Sequence, residues 1–312
     1  MSFRIRLVLA TVLTAVIAGS VYVGLKNFVF HATYLPVREM QGTPASYNLK
    51  YEDVSLGTKD GRLVTGWYIP AEKSSAPAVL YCHGNANNIS VYYQLYKAGL
   101  LHKMGFNVLT FDYGGYGNSR GSLSEEGTYK DATAAYYYLV FKKNIPPERI
   151  VIYGHSLGTA VAAYLAANLN ASALILEAPF TSLADMGRIL HPWLPSRLLV
   201  GRRYDTASRI AGVNMPLLIL HSAQDEIIPY SMGRKLYETA KEPKDFIKLK
   251  GDHCTGFKDS GDVYVVGLKN FFLKRINYNA DKLLYIVEPK PFTVAVQDDR
   301  AVFHRSAVKT GK

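Results

Sequence analysis

The stretch from Ile150 to Asn168, "IVIYGHSLGTAVAAYLAAN", constrains the fold more than any other part of the chain. Ile150 to Tyr153 reads as a strand buried on both faces, and the alanine-rich run Leu157 to Asn168 reads as a helix. The chain must therefore reverse within Gly154-His155-Ser156-Leu157-Gly158. Glycines two positions to either side of Ser156 let the strand and helix approach without colliding side chains. The turn itself holds the serine strained and exposed. A strand that feeds straight into a helix asks for parallel neighbours in a sheet covered by helices.

The rest of the sequence supplies those neighbours. Strand candidates are Asn48 to Leu56, Leu63 to Ile69, Ala78 to Cys82, Asn107 to Asp112, Ile150 to Tyr153, Ala173 to Leu176, Pro216 to Leu220 and Phe246 to Leu249. The first two flank "GTKDGR" and read as an antiparallel hairpin turning at Asp60-Gly61. A helix is expected over Ser124 to Asn144, opened by Ser124 as N-cap with Glu125 and Glu126 in the first turn, and stopped before Pro146-Pro147. From Phe180 to Met215 the alternation breaks down, and "HPWLPSRLLVGRRYD" reads as a short cap after the sixth strand. The expected architecture is α/β: a mostly parallel eight-stranded sheet flanked by helices.

Leu7 to Leu25 runs without a charge, about the length a helix needs to cross a bilayer. Residues 1–27 are read as a membrane anchor or signal segment and residues 28–46 as a stalk. Arg4 and Arg6 precede the apolar run and only Lys26 follows closely, which keeps the N-terminus in the cytoplasm and puts the remaining chain outside. Ala18-Gly19-Ser20 offers a cleavage site, and cleavage would give a secreted or periplasmic domain. The chain carries 36 Lys and Arg against 25 Asp and Glu, a net charge of +11. With no nucleic-acid-binding motif or dense basic block, that balance excludes nucleic acid and leaves an anionic membrane surface. Cys82 and Cys254 are too few for a disulfide framework, and buried thiols are the simpler reading than a pair. No spacing matches a metal site, and no cofactor motif is present, so metal none and cofactors none.

Ser119, in "GNSRG", is a second serine in the same glycine pattern. It lies in a loop well past the strand ending at Asp112, with no helix directly after it, so it reads as a turn residue. Ser156 is the expected nucleophile. A serine hydroxyl needs a base, and the base an orienting acid, each on a loop after a later strand. After "MPLLILH" comes Asp225, preferred over Glu226; after "DFIKLK" comes His253. Glu177, ending the sixth strand, is the second-choice acid. The remaining histidines, His155 among them, are weaker candidates. The oxyanion formed on attack needs pre-aimed N–H donors, expected from Leu157 and, after the permissive Gly84, from Asn85.

Taken in order, "HGN" at His83, "DYGGYGNSRG" at Asp112, "GHSLG" at Gly154, "EAPFTS" at Glu177, "QDEIIP" at Gln224 and "GDH" at Gly251 resemble the α/β-hydrolases over about Tyr47 to Ile276. The likeness is nearest to a single-pass, membrane-anchored subgroup with acyl-protein thioesterase-like and lysophospholipase-like members. It implies an α/β-hydrolase domain at 47–276 with a cap at about 180–215, and catalysis through an acyl-enzyme. The sequence departs at Cys254, where relatives often carry Asn after the catalytic His, and at residues 277–312, an extension with a possible hairpin at Asp298-Asp299. The expected function is a membrane-tethered serine hydrolase acting on a small-molecule or lipid-like acyl ester or thioester. Apolar cap residues Leu190, Trp193, Leu194, Leu198 and Leu199 favour such a substrate. A serine peptidase and a catalytically idle binding module are the rivals.

Overall fold

The computed structural model describes residues 2–58 and 60–278. Eight strands form one sheet: β1 (Glu52–Gly57), β2 (Leu63–Ile69), β3 (Ala78–Cys82), β4 (Asn107–Asp112), β5 (Ile150–His155), β6 (Ala173–Glu177), β7 (Leu217–Ser222) and β8 (Lys244–Leu249). Their spatial order is β8-β7-β6-β5-β3-β4-β2-β1. β1–β2 and β2–β4 pair antiparallel, and every other pair is parallel. The hairpin turns at Gly61, whose φ of +79° suits a residue without a β-carbon.

Period-two alternation splits the central strands between two cores. Leu80, Leu109, Ile152 and Leu174 face one layer, formed by α3 (Glu125–Tyr137), α4 (Leu157–Asn168), α7 (Thr206–Ile210) and α8 (Tyr230–Thr239). Val79, Val108, Val151 and Ile175 face the other, formed by α2 (Tyr92–Lys103), α9 (Gly256–Asp259) and α10 (Asp262–Ile276). Each fully buried aliphatic side chain contributes roughly 1.5–3 kcal/mol. This two-sided burial is why the parallel strands read as unbroken apolar runs.

Local differences from the sequence reading have local causes. β1 starts at Glu52 because Pro44–Tyr47 forms a 3-10 turn and Asn48 takes a left-handed conformation (φ 57°). The Ser124 side chain caps α3 as expected, accepting the Gly127 N–H at 3.0 Å, but the helix widens into a π turn over Tyr138–Lys142. The cap comprises α5 (Leu183–Leu190), α6 (Ser196–Val200) and α7.

At the N-terminal end, α1 (Phe3–Thr33) is long and apolar enough to cross a membrane, with a mean hydropathy of 2.1 over its most apolar window. It runs beyond the expected boundary at residue 27, since no glycine or proline interrupts Phe28 to Thr33. Residues 28–46 are not a free stalk. Phe28 and Val29 pack on the cap, and Leu35–Pro36 pairs in parallel with Ala86–Asn87. The possible hairpin at Asp298-Asp299 lies outside the described residues.

Candidate active site

The reversal after β5 sets the geometry. Ser156 has φ 54° and ψ −122°, a conformation that costs roughly 1–3 kcal/mol. Surrounding bonds fix it: its N–H donates to the Glu177 carbonyl at 3.0 Å, and its own carbonyl accepts from the Thr159 N–H at 2.9 Å and the Thr159 hydroxyl at 2.6 Å. The two flanking glycines serve close approach. A β-carbon on Gly154 would strike the Gly158 carbonyl, and one on Gly158 would strike the Cys82 and His83 carbonyls at the end of β3. Both positions therefore exclude a side chain.

Parallel register brings the other expected groups to the same sheet edge. Ser222 pairs with Leu249, so the loops after β7 and β8 leave the sheet together. Gly251 N–H donates to Gln224 Oε1 at 2.8 Å, the Ser222 hydroxyl donates to the Gly251 carbonyl, and His253 N–H donates to Glu226 Oε2 at 2.8 Å. Glu226, passed over as the acid, thus holds the histidine backbone. Within this frame the Asp225 carboxylate accepts the Ile227 and Ile228 N–H groups at 2.9 and 2.8 Å. His253 Nδ1 lies 2.8 Å from Asp225 Oδ2, and His253 Nε2 lies 2.9 Å from Ser156 Oγ. Ser156, His253 and Asp225 form one continuous hydrogen-bonded chain.

Burial alone would raise the Asp225 carboxyl, but the His253 charge, hydrogen bonds from His221 and His253, and the Ile228 N–H together hold it well below the usual carboxylate range. Asp225 is therefore ionised at neutral pH and can fix the imidazole tautomer that leaves Nε2 facing the serine.

Glu177, the second-choice acid, is committed elsewhere. Its carboxylate accepts from Lys97 Nζ at 2.9 Å, Tyr153 at 2.6 Å and Tyr264 at 3.2 Å, all buried on the α2–α10 side of the sheet. The ring of His155, the weaker candidate next to the nucleophile in the chain, packs against the His253 ring with centroids 5.3 Å apart. Burial, Lys97 and His253 push its pKa well below the ordinary imidazole value, so it serves as a neutral wall.

The loop after β3 lies over the serine. A β-carbon on Gly84 would sit 3.2 Å from Ser156 Cβ. His83, held down to about 3 by burial, stacks near Tyr113 at 4.4 Å and anchors the loop. Asn85 is clasped from three directions: its Nδ2 donates to the Thr33 carbonyl at 3.2 Å, and its carbonyl accepts the Leu35 N–H at 3.0 Å and the Tyr116 hydroxyl at 2.7 Å. The C-terminal end of α1 thus touches the loop over the serine, a contact without any local signature in the sequence. Leu157 opens α4, where the first N–H groups have no intrahelical acceptor. No disulfide joins Cys82 and Cys254, and Cys82 is buried within β3.

Comparison with known proteins agrees with this fold. Residues 77–207 match the alpha/beta hydrolase fold family. The chain is similar to the uncharacterized protein Rv2307c of Mycobacterium tuberculosis (strain ATCC 25618 / H37Rv), 37% identical over 249 residues, which span 80% of this chain and 88% of that protein. It is also similar to the lysophosphatidylserine lipase ABHD12 of Danio rerio, 37% identical over 199 residues, 57% of this chain and 51% of the lipase. Among solved structures, the Pyrococcus furiosus esterase Pf2001 superimposes with a TM-score of 0.66 at 20% identity, covering 78% of this chain and 98% of the esterase. The chain belongs to the α/β-hydrolase family.

Proposed function

We propose that the protein is a membrane-tethered serine hydrolase that cleaves acyl esters or thioesters. Ser156 attacks the acyl carbonyl while His253 Nε2 takes its proton and Asp225 stabilises the resulting imidazolium. The N–H groups of Asn85 and Leu157 hold the oxyanion. Collapse of the tetrahedral intermediate expels the alcohol or thiol, which receives the proton from His253. A water molecule, deprotonated by the same histidine, then attacks the acyl-serine and releases the acid. The observation that carries this reading is the continuous hydrogen-bonded chain from Ser156 through His253 to the ionised Asp225. The lipase and esterase among the similar proteins support an acyl substrate.

The tether in this reading is α1, spanning the bilayer with its N-terminus cytoplasmic and the hydrolase domain on the other side, as the placement of Arg4 and Arg6 favours. The test of function is turnover by the detergent-solubilised full chain of matched acyl esters, acyl thioesters and peptide amides. Ester and thioester cleavage without amide cleavage is expected. Preferential amide cleavage would make it a peptidase, and no turnover of any of the three would favour the idle binding module.

A further inference from the structure

We propose that the exposed apolar tip of the cap, formed by Ile189, Leu190, Trp193 and Leu198, lies in the headgroup–acyl boundary of the bilayer that α1 enters. The proposal rests on the membrane-anchor reading above and deepens it: the cap is a second, interfacial contact with phospholipid, and the substrate is a bilayer-resident acyl amphiphile.

The height of the cap follows from helix length. A hydrocarbon core of about 30 Å takes about 20 residues of helix at 1.5 Å each. Counted from Leu7, the first residue after Arg4 and Arg6, that length ends at Lys26, next to Leu25. The side chains of α1 are exposed through Gly24, and Leu25 is the first to be partly covered. What covers it is the cap. Leu25, Phe28 and Val29 pack against Ala184, Leu194, Leu199 and Val200, and the Phe28 ring lies 5.3 Å from His191 and 6.4 Å from Trp193. The first protein that α1 meets on leaving the hydrocarbon is therefore the cap.

At that level the cap sorts its residues by surface. Leu194 and Leu199 are buried against α1, whereas Leu190, Trp193 and Leu198 are 51%, 69% and 70% exposed. Large apolar side chains left open beside a membrane helix mark an interaction site. Along α5, Met186 is buried whereas Ile189 and Leu190, three and four residues further on and so on the same helix face, are exposed: the apolar face runs off the body of the domain at the C-terminal end of the helix. Tryptophan favours the headgroup region. The surrounding charges complement lipid phosphate: from residue 183 to 205 there are four arginines, Arg188, Arg197, Arg202 and Arg203, against Asp185 and Asp205. All four arginines are exposed.

The chain contains two tryptophans, and they report on opposite environments: Trp193 on the cap, and Trp67, 5% exposed, within β2. The full chain and its Trp193→Phe variant are reconstituted in vesicles of phosphatidylcholine and phosphatidylglycerol, with and without bromines high on the acyl chains. The difference between their emissions is the signal of Trp193. We expect bromine to quench that difference at least twofold and to leave the variant's emission unchanged. An unquenched Trp193 in vesicles that retain the chain through an alkaline carbonate wash would overturn the proposal while leaving the anchor intact. Loss of the chain in that wash would overturn the anchor, and with it the height assigned to the cap.

Discussion

Ser119 and Ser156 share one five-residue pattern, and the chain folds around them in opposite ways. At Ser156 the serine takes the positive φ, and Gly154 and Gly158 are present because backbone carbonyls pass where their β-carbons would be. In the other loop Gly115, Gly117 and Gly121 take the positive φ angles and the serine does not. The hydroxyls differ accordingly. Ser119 Oγ donates to the Asp112 carbonyl at 2.6 Å and accepts the Thr65 N–H at 2.8 Å, while the Ser156 hydroxyl meets an imidazole. The associated carboxyls diverge too. Burial raises Asp112, beside Ser119, to about 7, only partly offset by the Ile89 N–H and Arg38, whereas Asp225 is held low by its partners. One pattern thus serves a structural clasp in one place and a poised hydroxyl in the other. What separates them is which residue absorbs the unusual backbone conformation.

The largest expected contrast is in turnover. Ser156→Ala should cost on the order of 10^4-fold or more in kcat for ester cleavage, with the melting temperature nearly unchanged. Ser119→Ala should keep kcat within about threefold and lose about 1–3 kcal/mol of stability, because the buried Asp112 carbonyl loses a donor and the Thr65 N–H its acceptor. Exchange of those two outcomes would break the comparison. Next, Asp225→Asn should lower kcat by roughly 10^4-fold through the wrong imidazole tautomer. Glu177→Gln should act mainly on stability, read by thermal melts, since its partners are Lys97, Tyr153 and Tyr264. Asn85→Ala keeps the backbone donor but frees the loop from Thr33. About a tenfold fall in kcat with little change in KM is expected, the equivalent of roughly 1.4 kcal/mol.

A further contrast lies in stability against pH, and its sign differs between the regions. The folded pKa of Asp112 lies above its unfolded value of 3.8, so its contribution is full below 3.8 and is lost as pH rises through about 7. Asp225 is the reverse: its depressed pKa stabilises the fold above the ordinary carboxylate range, and that contribution fades as pH falls below it. Melting curves of Asp112→Asn should therefore gain on the wild type toward pH 8, and those of Asp225→Asn should lose at neutral pH and converge in acid. A common sign in both variants would contradict the assigned environments.

Features encoded locally were legible in the sequence. The elbow, the strands buried on both faces, the Ser124 cap and the hairpin at Gly61 each rest on a short run of residues, and each lies where it was expected. The loops carrying Asp225 and His253 were located by chain order alone. What escaped was non-local. Lys97, on α2, takes up the Glu177 carboxylate across 80 residues of sequence, and Thr33 reaches Asn85 across 52. Neither contact has a motif, because each depends on how helices settle on the sheet. The apolar cap residues read as one group, yet folding divides them into those facing α1 and those left exposed.

The proposed catalysis turns on a single activated serine. Labelling of the purified full chain by a fluorophosphonate probe, compared across the wild type, Ser156→Ala and Ser119→Ala, addresses it most directly. We expect labelling of the wild type and Ser119→Ala and none of Ser156→Ala. Labelling that survives in Ser156→Ala, or a folded wild type that takes no label, would contradict it.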